Sequence, residues 1–150
     1  QWTAQFEVGY GFKAGFEAYL RYQRIQFKGV PGANVILPML IYYVGPMAFS
    51  ARYFLSIDDT GKVTQAAIGK VQYYLGDRLE FYLGGGGGNH ADYLDLRGYD
   101  TQYFWTIIAG VWWNITWQHR LMFNYTFRDE EAGGQSYLQN YLITGYQVRF

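Results

Sequence analysis

The 150-residue chain has no cysteine, only three prolines and no long uninterrupted apolar run. Without cysteine, no disulfide framework, thiolate nucleophile or zinc–thiolate site can form. The longest apolar stretch, residues 35–41, contains Pro38 and is far shorter than the ~18 residues of a membrane-spanning helix. The sequence therefore predicts neither a disulfide-stabilised fold nor a transmembrane helix.

Charge is also scarce in this chain. Charged residues make up 16% of it, against about 25% in an average soluble domain. The net charge is zero, which argues against a nucleic-acid partner. Half of the residues are hydrophobic and 21% are aromatic, yet the mean hydropathy is only -0.17. Apolar and polar residues must therefore be finely mixed, as in the wall of a transmembrane β-barrel.

The mixing follows a period of two, which is typical of β-strands. Leu79, Phe81 and Leu83 fall on one side of their segment, whereas Glu80 and Tyr82 fall on the other. The same alternation runs through residues 120–128. We predict nine strands, at approximately residues 2–10, 14–27, 33–43, 46–57, 64–75, 78–86, 99–113, 116–128 and 136–150.

The connections between the predicted strands alternate in length. Tight connections at 11–13, 44–46, 75–77 and 114–115 alternate with longer ones at 28–32, 58–62, 87–98 and 129–135. Outer-membrane barrels have short periplasmic turns and longer outward loops. The fold class that we predict is therefore all-β, an antiparallel transmembrane β-barrel of about 8–12 strands, in the outer membrane of a Gram-negative bacterium.

Aromatic residues gather beside the tight turns, where a membrane-interface girdle is expected. The chain also ends on Phe150 after alternating apolar positions, which resembles the closing-strand signal that the barrel-assembly machinery reads. The predicted girdle residues are Tyr43, Tyr73, Trp112, Trp113, Trp117, Tyr146 and Phe150.

The predicted strand number is odd, whereas bacterial single-chain barrels have an even number. Three explanations are open: N-terminal strands are missing from residues 1–150, the first segment is not a strand, or another chain closes the barrel. We favour the first, because the alternating pattern starts immediately after Gln1.

Several short motifs resemble the YaiO-like outer-membrane β-barrel family, with a resemblance that covers most of the chain. They are an aromatic–Arg–aromatic strand (Tyr19, Arg21, Tyr22), the Tyr-Val-Gly-Pro sequence at 43–46, and a second Arg–aromatic strand (Arg52, Tyr53). The resemblance implies a barrel of about a dozen strands, of which the first three are absent here, and a role in cell-surface glycan traffic. Two segments depart from it: Gly84–Gly88, and residues 36–41, which we expect to place Ile36, Pro38 and Leu40 on the inner face.

The polar side of the strands carries the residues expected to line the lumen. Unpaired buried charges are prohibitively costly, so these groups must either pair across a narrow lumen or line a wider aqueous path. Basic residues outnumber acidic ones in this set, which favours an anionic solute. The lumen-lining residues that we predict are Glu17, Arg21, Arg52, Lys70, Arg78, Glu80, Arg120, Asn124, Arg128 and Arg149.

Chemical motifs are sparse. The Gly84–Gly88 run lacks the following Lys and Ser/Thr of a phosphate-binding loop, and it is interpreted as a flexible strand end. His90, Asp92 and Asp95 share one predicted outward loop and are the only candidates for catalysis at the barrel rim. No metal site and no cofactor are expected.

These patterns favour a non-enzymatic, porin-like barrel that acts as a pore, an export conduit or a scaffold. The alternatives are a rim-located enzyme acting on lipid or glycan, and a structural subunit of a larger outer-membrane complex. The expected partners are the lipid bilayer, lipopolysaccharide and the barrel-assembly machinery, with a partner subunit in the last alternative and no nucleic acid.

Overall fold

The computed structural model describes residues 2–26, 31–89, 101–132 and 134–148. They form one antiparallel sheet of nine strands in sequence order, each paired with the next, and a short 3₁₀ turn at Lys13–Gly15. Within these residues no helix has the length and apolarity to cross a membrane. The strands are β1 (Trp2–Gly11), β2 (Phe16–Gln26), β3 (Ala33–Val44), β4 (Met47–Asp58), β5 (Val63–Leu75), β6 (Leu79–Gly88), β7 (Thr101–Asn114), β8 (His119–Ala132) and β9 (Gln135–Val148).

All nine predicted strands are confirmed, with boundaries that shift by a few residues. The largest difference is in β8, which continues to Ala132 instead of ending near Arg128. Only residues 133–134 then separate it from β9, and Gly134 has a φ of 76°, which suits a tight hairpin turn. The prediction of a long loop at 129–135 is therefore wrong.

The two ends of the sheet differ in their connections. We call one the turn end, where residues 12–15, 45–46, 76–78 and 115–118 join the strands. We call the other the loop end, where residues 27–32, 59–62, 89–100 and 133–134 join them. Only two of the four loop-end connections exceed four residues, so the alternation in length is weaker than the sequence suggested.

The two faces of the sheet differ in burial. We call concave the face that carries Arg21, Arg52 and Lys70, and convex the opposite face; the strand registers assign every other residue to one of them. Phe54 of β4 and Tyr141 of β9 line the same cavity, so the sheet curls towards the concave face. The buried residues of the described strands all lie on it: Ala33, Val35, Leu37, Ala48, Ser56, Thr64, Ala66, Phe104, Thr106 and Glu130.

The register of β3 corrects one expectation. Leu20 pairs with Pro38 and Ile36 pairs with Leu55, which places Ile36, Pro38 and Leu40 on the convex face. Their expected position on the inner face is wrong, and Val35 and Leu37 are buried there instead. The β3–β4 register is interrupted at Leu37 and Pro38, in keeping with a residue that lacks a backbone N–H.

The five glycines of β6 are paired on both sides rather than ending the strand. Gly84 to Gly88 pair with Lys70 to Ala66 of β5 and with Ile108 to Phe104 of β7. A Cβ added at Gly84, Gly86 or Gly88 would collide with a carbonyl oxygen of β5, and one added at Gly85 or Gly87 with a carbonyl oxygen of β7. Only glycine fits this segment, because the neighbouring backbones occupy the space of a side chain.

Asp59 links the connection 59–62 to the β2–β3 connection through hydrogen bonds. Its carboxylate accepts two hydrogen bonds from the Arg24 guanidinium, at 2.8 and 2.9 Å, and one from the Gly32 N–H at 2.8 Å. Its own N–H donates to the Gly32 carbonyl at 2.9 Å. The Arg24 hydrogen bonds, followed by that from Gly32, lower the pKa of Asp59 below its ordinary value. This contact holds 59–62 against the end of the β2–β3 connection.

Candidate functional site

Most of the predicted lumen residues share the concave face. Eight of the ten lie there, on five different strands, although the sequence distance between the first and last exceeds one hundred residues. Arg78 lies in the turn 76–78, and Arg149 lies outside the described residues. That these side chains line a lumen stays a prediction. The eight are Glu17, Arg21, Arg52, Lys70, Glu80, Arg120, Asn124 and Arg128.

Polar contacts cross the turn-end half of the concave face. Glu17 accepts hydrogen bonds from the Tyr19 hydroxyl at 2.9 Å and from the Tyr43 hydroxyl at 3.3 Å. The Tyr82 hydroxyl reaches over β7 to Asn124 of β8. It can do so because Gly110 lies between them, and a Cβ there would meet the Tyr82 ring at 2.5 Å.

Two carboxylates of the concave face form ion pairs. Arg21 contacts Glu7 at 2.6 Å, with both side chains 39% exposed. Arg128 contacts Glu130 at 3.2 Å, and Glu130 is only 5% exposed. The Arg128 guanidinium also lies 4.6 Å from the centre of the Phe104 ring. The second pair is the more constrained, because Glu130 is withdrawn from water and needs its partner.

Three other cations of this face have no such partner. Within the part of the chain that the structure describes, no carboxylate lies within 4.0 Å of Arg52, Lys70 or Arg120. Arg120 stacks at 5.1 Å on Trp112 and donates to the Asn114 side chain at 2.7 Å. A lattice of salt bridges therefore does not account for all the charge of the concave face.

The charge of the concave face is balanced overall. Its described strand positions carry five basic residues (Arg21, Arg52, Lys70, Arg120, Arg128) and five acidic ones (Glu7, Glu17, Asp58, Glu80, Glu130). The expected excess of basic residues is not found in these strands. The predicted set includes Arg78 and Arg149, which are not on described concave strand positions, and lacks the concave carboxylates Glu7, Asp58 and Glu130.

A cavity of about 380 Å³ opens on the loop-end half of the concave face. Its position follows from β6, whose concave positions there, Gly84, Gly86 and Gly88, offer no side chains. Such a volume is within the range of small-molecule pockets. Its walls are Phe54, Ala66, Ile68, Phe104, Thr106, Thr126, Arg128 and Tyr141.

The convex face is apolar and exposed. Of the 36 exposed large hydrophobic residues, 30 lie on convex strand positions, three on concave ones and three in turns. The charged residues on its described strand positions are Arg24, Asp129 and Glu131, all close to the loop end. An uncharged aromatic band therefore covers the middle of this face.

Four predicted girdle residues lie near the turn end on exposed positions. Tyr73, Trp113 and Tyr146 are convex and within two residues of their strand ends, and Trp117 is 74% exposed in the turn 115–118.

The other predicted girdle residues are placed differently. Tyr43 and Trp112 are concave: the first contacts Glu17 and the second lies under Arg120. Phe150 lies outside the described residues. A girdle proposal is therefore confined to Tyr73, Trp113, Trp117 and Tyr146.

The candidate rim residues His90, Asp92 and Asp95 lie outside the described residues. In the ranges that the structure does describe, no three His, Cys, Asp or Glu side chains are placed to hold a metal ion. What the described concave face offers chemically is binding: aromatic walls, hydroxyl groups and guanidinium groups around a cavity.

No family model, curated protein or solved structure matches this chain. The YaiO-like resemblance therefore rests on its sequence motifs alone, and the function must be argued from the two faces of the sheet.

Proposed function

We propose that this chain forms most of the wall of a bacterial outer-membrane β-barrel, and that the barrel acts as a non-enzymatic conduit. The observation that carries the proposal is the separation of the two faces. Thirty large hydrophobic side chains are exposed on the convex face, while ten charged residues lie on the concave one.

Water on both sides of the sheet does not explain this distribution. Monomeric soluble proteins rarely expose contiguous apolar patches above a few hundred Å², and here the apolar residues extend across all nine strands. Hydrocarbon outside and water inside account for both faces. Strands of 10–14 residues are ~33–46 Å long, which suits a ~25 Å apolar band crossed at a ~40° tilt.

Closing the barrel with antiparallel pairing throughout requires at least one more strand. In the described residues the sheet order ends at β1 and β9, and both strands run from the loop end to the turn end. Direct pairing between them would be parallel. An odd number of additional strands between β9 and β1 gives a fully antiparallel barrel, and we propose that a longer form of this protein supplies them.

A second copy of the chain is a poorer source of closure. Two copies in the same membrane orientation meet through a parallel β1–β9 contact, and antiparallel β9–β9 pairing inverts one of them. The unpaired edges do favour a second candidate function, a structural subunit that receives its closing strand from a different protein.

A conduit is better supported than a filled scaffold. A scaffold barrel stabilises its interior charges by pairing them across the lumen, yet Arg52, Lys70 and Arg120 have no carboxylate within 4.0 Å in the described structure. The cavity beside β6 adds space rather than packed side chains. The family resemblance suggests cell-surface glycan as the class of solute that passes through the conduit.

The proposal predicts that the full-length protein fractionates with the outer membrane and changes its electrophoretic mobility on boiling. Reconstituted in planar bilayers, it should give discrete conductance steps. The control is the same protein kept unfolded in urea, which should give neither behaviour. Recovery in the soluble fraction would contradict the membrane assignment, whereas correct fractionation with no conductance would contradict only the conduit.

Copurification separates the two candidate functions. A closing strand within the same polypeptide predicts a purified species of one chain in detergent. A stable complex with a second, different chain, retained through purification, would favour the structural-subunit candidate instead.

A further inference from the structure

Two cations without a salt-bridge partner in the described residues, Arg52 and Lys70, lie near the cavity beside β6. Arg52 pairs in register with Ile68, which lines the cavity, and its guanidinium lies 6.0 Å from the centre of the Phe54 ring, another lining residue. Lys70 is the next concave residue of β5 after Ile68. Neither cation lines the cavity itself, but both lie on strand positions beside it: the Arg52 guanidinium donates to the Met39 sulfur at 3.3 Å, and the Lys70 ammonium lies 5.3 Å from the centre of the Tyr82 ring.

The opposite side of the cavity is neutralised. Arg128 lines it, but this guanidinium is paired with Glu130 at 3.2 Å and faces the Phe104 ring. Glu80 on β6 acts on Lys70 electrostatically but makes no salt bridge with it within 4.0 Å, and its carboxylate accepts a hydrogen bond from Gln72 at 2.6 Å. The positive charge at Arg52 and Lys70 is thus a local feature of a face whose total charge is balanced.

We propose that this cavity binds an amphipathic monoanion, with its apolar body between Phe54, Ile68 and Phe104 and its anionic group at Arg52 and Lys70. The ligand class is that of medium-chain carboxylates. A guanidinium suits a carboxylate because it can donate two parallel hydrogen bonds. The apolar body is favoured because it displaces water from a wall of aromatic and aliphatic carbon.

The inference deepens the proposed function and rests on it, since the ligand enters through the water-accessible interior. It assigns a ligand class to this one cavity, in addition to the cell-surface glycan proposed as the solute of the conduit. Fractionation and conductance test the barrel itself, so a failure of ligand binding alone leaves the membrane assignment intact.

The test compares decanoate with decanol at pH 8, using the full-length protein in nanodiscs of zwitterionic lipid and empty nanodiscs as the background. Decanoate should bind saturably. Its dissociation constant should rise at least about tenfold in the Arg52→Gln/Lys70→Gln double variant, because a charge-assisted hydrogen bond contributes more than a neutral one. Decanol binding should be the same in that variant and in the wild type.

Two further variants separate site binding from general charge effects. Arg21→Gln removes a concave cation that is distant in the sheet and paired with Glu7, so it should leave the decanoate dissociation constant unchanged. Ala66→Leu places bulk in the cavity and should weaken decanoate and decanol alike. Circular dichroism and the mobility shift on boiling establish that each variant is folded.

Three results would overturn the inference. The first is decanoate uptake that does not saturate above the empty-nanodisc background. The second is an unchanged dissociation constant in the folded double variant, and the third is an equal loss in Arg21→Gln.

Discussion

Replacing Gly86 by alanine is expected to lower the free energy of unfolding by at least about 2 kcal/mol, the range of forced overpacking. The added Cβ would overlap the Ala67 carbonyl oxygen and lie 2.7 Å from the Ile68 Cα. Both are backbone atoms of a paired strand, so no rotamer change relieves the contact. Urea titration of the protein in lipid vesicles, followed by tryptophan fluorescence, measures the loss.

The matched control lies on the neighbouring strand β5, nearly opposite Gly86. Gly69 pairs with Gly85, and a Cβ there would meet only the Ser50 carbonyl oxygen, at 3.9 Å. Gly69→Ala should therefore stabilise the protein by about 0.4–1 kcal/mol, because alanine restricts the unfolded chain. Equal and small effects at both positions would mean that β6 does not lie as close to β5 as described.

Leu142→Arg should destabilise the protein by about 2–4 kcal/mol, whereas Ile143→Arg should change its stability by about 0.5 kcal/mol or less. The two residues are neighbours near the middle of β9, exposed to 73% and 58%. Leu142 is convex and Ile143 is concave. An arginine near the bilayer centre loses its hydration, while one in a water-filled interior keeps it.

This pair of variants distinguishes a convex face that meets the membrane from one that meets water. If both faces met water, two similarly exposed residues would tolerate arginine equally well, since exposed substitutions usually cost little. The measurement is the urea midpoint of each variant refolded into vesicles. A cost for Ile143→Arg as large as that for Leu142→Arg would contradict the assignment of the faces.

The sequence predicted the strands well where the two faces differ in polarity. In residues 120–128, Phe123 and Tyr125 alternate with Asn124 and Thr126, so the face of each residue follows from its parity. Residues 35–41 are apolar at every position, so no alternation indicates which parity faces inward. There the pairing with β2 decides the face, through Arg21 opposite Leu37.

The candidate site was harder to predict. Parity placed Arg52, Lys70 and Arg128 on one face, but ion pairing depends on which residues lie beside them, and Glu130 fell beyond the predicted end of its strand. The sequence does not predict the cavity either. Gly84–Gly88 carries no alternating pattern, and such a glycine run favours the interpretation of a flexible strand end. In the structure this glycine segment is paired with β5 and β7, and because it has no side chains it leaves the space of the cavity.

Single-cysteine scanning of β8 tests the central claim most directly, and residues 1–150 contain no cysteine of their own that would react. With the protein folded in vesicles, cysteine at Asn124 or Thr126 should react with a water-soluble maleimide reagent through the lumen. Cysteine at Phe123 or Tyr125 should be unreactive until the protein is unfolded, because hydrocarbon covers the convex face. Convex cysteines that react as fast as the concave ones in the folded state would contradict the account.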